Sequence, residues 1–259
     1  MRWVSYLSPS DGRTRAGLLG DDEYVYGLAE PRRLTDLLGD DGALMRSAAR
    51  RAQAEPADLI FGFEARLRAP VPDPPRIRCA APEAAPGVPP AVLRPSAVHG
   101  PDDGYAHELE PGAHPLPGLA VAAVVGRAAQ DVTAEEAAAV VAGYLIMLVW
   151  RDLARPERAP TVVLGPALVT PDELAGAAAG GEIATVSVND AELARFGGPP
   201  PWLRLPALVA AAAADGGVLP GEVVGDPLRG APVDWPRLAP GDEVRTDVAG
   251  LGEISVSLR

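Results

Sequence analysis

The chain has 259 residues, enough for one large domain or for a small and a large one around a buried core. Its formal net charge of −12 argues against nucleic acid and anionic membrane as partners, because both demand a basic patch. All 23 basic residues are arginine, which with the abundant Ala and Pro points to a GC-rich coding bias and only weakly to mechanism.

Cys79 is the only cysteine, so no disulfide framework exists and a reducing cytoplasm is expected. Arg2 is followed by WVSYLSPSDGR, which lacks the apolar core of a secretory leader. The longest apolar run, Ala137 to Trp150, falls short of the roughly 20 residues of a membrane span. A soluble protein is expected.

In chain order, Trp3 to Leu7, Arg15 to Leu19 and Tyr24 to Leu28 read as three antiparallel strands joined by Ser-Asp-Gly and Gly-Asp-Asp turns. Leu34 to Leu38 and Ala43 to Ala54 read as helices. The stiff Pro70 to Pro75 segment marks a boundary, giving a small N-terminal domain over 1–69 and a larger one over 70–259. Arg76 to Cys79 then opens the larger domain as a strand.

The most informative stretch follows. Leu119 to Val125 is an apolar run too short for a helix and reads as a strand buried on both faces. Thr133 and Glu136 have the spacing of a capping box, and Ala137, Val140, Val141 and Tyr144 fall on one helical face, so a helix is expected there, ending at Gly143. Leu145 to Val149 is a second apolar strand, closed by Arg151-Asp152. Further on, Pro171 with Asp172 and Glu173 makes a favourable helix start. Ile183 to Val188 reads as a strand, Trp202 to Ala214 as a helix, and Glu243 to Val248 with Glu253 to Leu258 as a hairpin. No Walker loop, dinucleotide fingerprint, G-x-S-x-G elbow or solenoid repeat is present.

From residue 76 onward these motifs resemble the fumarylacetoacetate hydrolase family. Leu93 to Asp103 is similar to that family's L-K-P-x-S-x-x-x-G-P-x-D, with Arg94 at the lysine. Leu164 to Leu174 is similar to L-G-P-x-L-V-T-P-D-E-[IL], and the strand–helix–strand stretch Leu116 to Asp152, its helix ending at Gly143-Tyr144, resembles the family's metal-binding core. The resemblance implies an α+β fold, with a mixed β-sheet roll or sandwich as the catalytic domain behind a small N-terminal α/β domain. Relatives hold magnesium with two glutamates of an E-x-E and the aspartate of an N-D, and act on diketo and enol acids by polarising them on the metal. Counting from Gly126 and Tyr144, those three positions fall here on Gly118, Ala120 and Val149, none of which has a side-chain oxygen for a hard cation. The family's N-Y-x-x-H-A-x-E loop is replaced by AAPEAAPGVPP, which keeps only Glu83. The resemblance therefore implies a dismantled metal site, and no metal ion or other cofactor is expected.

Three readings follow. The first is a metal-independent enzyme, in a bacterial natural-product pathway, that binds a bulky hydrophobic unsaturated molecule and promotes its cyclisation, isomerisation or elimination. Gly118, Ala120, Leu145, Met147, Val149 and Trp150 would form the apolar chamber. Arg94 and Arg151 would hold a carboxylate or enolate, Asp226 would act as a base, and His99 would assist. The second is a non-catalytic binding or scaffold protein. The third keeps a metal through displaced ligands such as Glu108, Glu110 or Asp152. His99, His107 and His114 lie in Pro-Gly loops without metal-ligand spacing. A homodimer is expected from the resemblance.

Overall fold

The computed structural model describes residues 1–82, 85, 87–103, 112–175, 181–229 and 235–259. Glu83, His107, Glu108 and Glu110 lie outside the described residues.

The N-terminal strands β1 (Arg2–Leu7), β2 (Thr14–Leu19) and β3 (Tyr24–Gly27) form the expected antiparallel meander. A 3₁₀ turn (Leu34–Leu37) and helix α1 (Ala43–Ala54) follow, and α1 lays Met45, Ala48, Ala49 and Ala52 on the sheet. Short strands come next: β4 (Leu59–Phe61), β5 (Leu67–Arg68), β6 (Ile77–Cys79), β7 (Ala91–Leu93) and β8 (Ala97–His99). Then come β9 (Pro115–Val125), α2 (Ala134–Ala138), β10 (Val141–Asp152), β11 (Thr161–Val169) and α3 (Pro171–Leu174). The chain ends with β12 (Gly181–Val188), β13 (Ala191–Gly198), α4 (Leu205–Ala214), β14 (Val223–Pro227), β15 (Glu243–Val248) and β16 (Gly252–Ser257).

Among the described residues the large sheet has 12 strands, ordered β4-β3-β2-β1-β11-β10-β9-β14-β6-β7, with β5 on β1 and β8 on β11. A second sheet runs β13-β12-β15-β16. Both parallel and antiparallel pairs occur, which makes this a mixed-sheet α+β fold. Because β1 pairs with β11, one sheet runs continuously across the 69/70 boundary.

The longest strands, β9 and β10, lie mid-sheet, and their alternate residues feed two cores. Val121, Ala123, Ile146 and Leu148 face the second sheet and α4, in a core shared with Val186, Val209 and Val244. Ala120, Ala122, Leu145 and Met147 face the other way, towards Leu164, Trp3 and α1. Burial on both faces explains the near-continuous apolar runs.

The expected helix is much shorter than the pattern suggested. The capping box forms, with Thr133 Oγ1 accepting from the Glu136 N–H at 3.2 Å and Glu136 Oε2 accepting from the Thr133 N–H at 2.8 Å. Yet the helix covers only 134–138, and Val141 to Tyr144 belong to β10. Val141 pairs with Val125, and the β-branched pair Val140-Val141 prefers the pleated, buried setting that β9 offers. Gly143 does not end a helix. A Cβ there would sit 2.6 Å from the Val169 carbonyl oxygen, so glycine lets β11 approach closely at an irregularity in the β9–β10 register.

Beside β9 lies a buried ionic network. Arg78 donates from Nε to Glu222 Oε1 at 2.8 Å and from Nη1 to Asp215 Oδ2 at 3.0 Å, while Arg76 Nε donates to Glu222 Oε2 at 3.1 Å. Arg78 is 1% exposed, and its partners tie β6 to the end of α4 and to the turn before β14. Among the described residues, no helix is long and apolar enough to cross a membrane.

Candidate functional site

The β9–β10 register brings the three family-ligand positions together. Gly118 pairs directly with Val149, and Ala120 with Met147, so Gly118, Ala120 and Val149 occupy one face of adjacent strands. Arg151, paired with Leu116, stands on the same face one step further along. β14 covers β9 only as far as Pro227 opposite Ala120. Past that point the sheet opens into a cavity of about 820 Å³.

Gly118, Ala120 and Val149 line this cavity with Cys79, Leu93 and Leu116. Phe196, Leu228 and Trp235 close it from the side of the second sheet, since the cavity wraps around the end of β9. Arg151 and His114 supply most of the polarity. A Cβ added to Gly118 would lie 3.9 Å from Arg151 Nη1, so the guanidinium reaches over Gly118 itself. No described residue forms a hydrogen bond or ion pair with that guanidinium. Burial pushes the Cys79 thiol up to about 11, with Arg151 pulling it down and Asp226 pushing it further up. The thiol is therefore neutral near pH 7 and behaves as a small apolar group.

The donor set does not fit a hard divalent cation. The converging positions offer no side-chain oxygen, and the nearest charge among the described residues is a cation, which repels another. Among the described residues, no group of three or more His, Cys, Asp or Glu side chains is placed to hold a metal.

The other expected site residues lie elsewhere. Leu145 and Met147 share the face but sit deeper, fully buried, outside the cavity lining. Met147 is packed so closely that a Cβ on Gly225 would fall 2.2 Å from its Cε. Trp150 points to the opposite face and lines a separate cavity of about 310 Å³ with Asp152, Arg155 and Arg158. Arg94 is exposed just past β7, away from the cavity lining. His99 is half-buried on β8 beside β11, where burial lowers its pKa and Asp103 opposes the shift. Asp226, 3% exposed, is on the β14 face opposite Gly225 and has Arg204 Nη1 at 3.4 Å from its Oδ2. Burial raises the Asp226 pKa against the pull of Arg204 and Arg229.

Sequence reasoning thus brings Gly118, Ala120, Val149 and Arg151 together but misses Cys79, His114, Phe196 and Trp235. Cys79 and His114 carried a positional signal, because each adjoins a strand that reaches the family-ligand positions. Phe196 and Trp235 carried none, because tertiary packing alone brings β13 and the segment after β14 to this cavity.

Fold and site together define a class: a mixed-sheet α+β roll with a deep cavity where its central strands outrun their neighbours. The family model described as fumarylacetoacetate (FAA) hydrolase C-terminal matches residues 67–259, and the chain belongs to the fumarylacetoacetate hydrolase family. Similar solved structures include maleylpyruvate hydrolase from Sphingobium sp. SYK-6, at 24% identity and TM-score 0.80 over 100% of this chain and 99% of that one. That enzyme is also known in complex with manganese(II) ion and pyruvate. Fumarylacetoacetate hydrolase from psychrophilic Exiguobacterium antarcticum matches at 18% identity and TM-score 0.76, over 100% and 99% of the two chains. The 5-carboxymethyl-2-hydroxymuconate delta-isomerase from Mycobacterium smegmatis matches at 23% identity and TM-score 0.69, again over 100% and 99%. At these identities the likeness shows the fold. None of the curated proteins compared matches the chain.

Proposed function

We propose that the cavity holds a largely apolar, unsaturated small molecule and promotes its isomerisation, cyclisation or elimination without a divalent cation at the family's ligand positions. One observation carries this reading: Gly118, Ala120 and Val149 converge without a side-chain oxygen on the floor of a cavity of about 820 Å³. That size suits a ligand far larger than a metal-bound diketo acid and falls within the usual range for small-molecule sites. Hydrolases and isomerases both occur among the structural neighbours, and an isomerase needs no water as reactant, which agrees with an apolar chamber. Holding a flexible polyene or enone in one reactive fold is itself a source of rate. The setting proposed is a bacterial natural-product pathway in the cytoplasm, supported by the arginine-only basic set and the single free thiol. A homodimer is part of the proposal, with light scattering as its test.

A non-catalytic binding role is the second reading. It is favoured by the neutral Cys79 thiol and by Asp226 facing away, which leave His114 to move protons among the described cavity residues. His114→Gln separates the two, because an enzyme loses turnover and a binding protein keeps its affinity.

The site itself is tested by filling it. Gly118 has room for a side chain, since its added Cβ would meet only ordinary contacts at 3.6 and 3.9 Å. Gly118→Phe should fold like the parent and lose binding of Nile red, a neutral dye whose emission shifts to the blue in apolar pockets. Unchanged dye binding by a folded Gly118→Phe protein would place the ligand site elsewhere.

A further inference from the structure

We infer that the outer edge of β4 is a docking site for an extended basic segment of another protein. That segment joins the large sheet as one more strand, seats alternate apolar side chains on Leu59, Phe61 and Phe63, and brings arginine or lysine to the acidic residues around them. The surface lies outside the cavity lining, so the inference stands apart from the small-molecule reading.

Geometry comes first. β4 pairs with β3 on one side, and among the described residues no strand pairs with its other side. The Gly27 N–H donates to the Asp58 carbonyl at 2.9 Å and the Gly62 N–H to the Glu23 carbonyl at 2.7 Å. By the alternation of an antiparallel ladder, Ile60 then bonds to Val25, while the N–H groups of Leu59 and Phe61 and the Leu59 carbonyl point away from β3. The side chains are as open as the backbone. Leu59 is 56% exposed and Phe63 82%, and Phe63 stacks on Phe61 at 5.4 Å, which in turn packs on Tyr24 at 4.1 Å.

The other sheet edges are guarded. β13 carries the exposed Glu192–Arg195 pair along its edge, and on β16 Glu253 faces Arg245. β7, the far edge of the large sheet, lines the cavity. Leu59-Ile60-Phe61 has no charge and no proline, the usual devices against strand addition. Charge then selects the occupant. Asp21, Asp22 and Glu23 in the β2–β3 turn and Glu64 just after β4 are exposed, against Arg66 as the next exposed basic residue along the chain. A second copy would set these acids against their own kind, on a chain of net charge −12, whereas a basic strand meets them with opposite sign. Main-chain bonds supply affinity in such an addition, and alternate side chains supply selectivity.

The probe is a fluorescein-labelled peptide, Arg-Thr-Val-Thr-Phe-Thr-Val-Thr-Arg, titrated with the full chain by fluorescence anisotropy at low salt. The parent should bind it with a dissociation constant of about 100 μM or tighter. N-methylation of alternate peptide nitrogens removes the strand bonds and keeps the side chains, and should weaken binding about tenfold or more. Exchange of both terminal arginines for glutamate should do the same. Leu59→Lys charges the edge and Phe63→Ser removes the outermost ring; each should also weaken binding about tenfold, with thermal melts showing both variants folded. Binding that N-methylation, glutamate exchange or the two folded variants leave unchanged overturns the inference, as does no binding at about 1 mM. Sedimentation decides against or for a second copy. A dimer of the parent that Leu59→Lys dissolves gives the edge to self-association and overturns the inference, and an association state unaltered by Leu59→Lys supports it.

Discussion

Two arginines on neighbouring parts of the same sheet are treated in opposite ways. Arg78, on β6, is 1% exposed and has its donors taken by Glu222, Asp215 and backbone carbonyls. Arg151, on β10, is exposed to the cavity and has no partner among the described residues. The first charge is matched by the protein and holds together the junction of β6, α4 and β14. The second is unmatched among those residues, and it stands one step along the strand face from Val149. Pairing, more than the mere presence of a charge, thus separates a structural arginine from a candidate ligand-binding one. Asp226 lies between these extremes, being buried with Arg204 at 3.4 Å and Arg229 also pulling on its charge.

The comparison can be broken first at Arg78. Arg78→Met should cost about 3 kcal/mol, because the buried Glu222 carboxylate loses one of its two guanidinium partners and keeps only Arg76 on its other oxygen. Urea unfolding measures it, and a cost below about 1 kcal/mol would mean the network is not structural.

Asp226 sharpens the middle case through pH. Burial raises its folded pKa, so its ionisation opposes folding: the contribution is most favourable below the ordinary carboxylate pKa and is lost as pH rises through the raised value. Asp226→Asn does not ionise, so its stability relative to the parent should grow with pH across that window and then level off. A constant difference, or one that shrinks as pH rises, would contradict the burial argument.

The smallest stability effect is expected at Arg151. Arg151→Met should change unfolding free energy by no more than about 0.5 kcal/mol, because Arg151 has no hydrogen bond or ion pair among the described residues. A cost approaching that of Arg78→Met would show that Arg151 is structural.

These contrasts also show what was legible in the sequence. The two-faced burial of β9 and β10 was visible in their apolar runs, and the alternation of strand side chains put Gly118, Ala120, Val149 and Arg151 on one face. How deep the cavity reaches was not visible, since Leu145 and Met147 satisfy the same alternation yet are sealed by α1, Trp3 and Gly225. Trp150 belongs to the opposite face by the same period, so its exclusion was legible in principle. The segment 139–144 misled because the capping box and the alanines just before it favour a helix locally, and pairing with β9 and β11 draws Val141 to Tyr144 into a strand. The wall formed by Phe196 and Trp235 depends on packing between sheets, which no local pattern encodes.

At Gly118, Ala120 and Val149 two strands converge without a side-chain oxygen and beside a guanidinium. The most direct measurement is a manganese titration followed by the electron paramagnetic resonance of the free ion, with protein and Mn²⁺ at equal concentrations. With Gly118, Ala120 and Val149 as the converging positions and Arg151 above them, the free-ion signal should keep its full amplitude. Loss of signal corresponding to about one ion bound per chain at micromolar affinity would contradict the account.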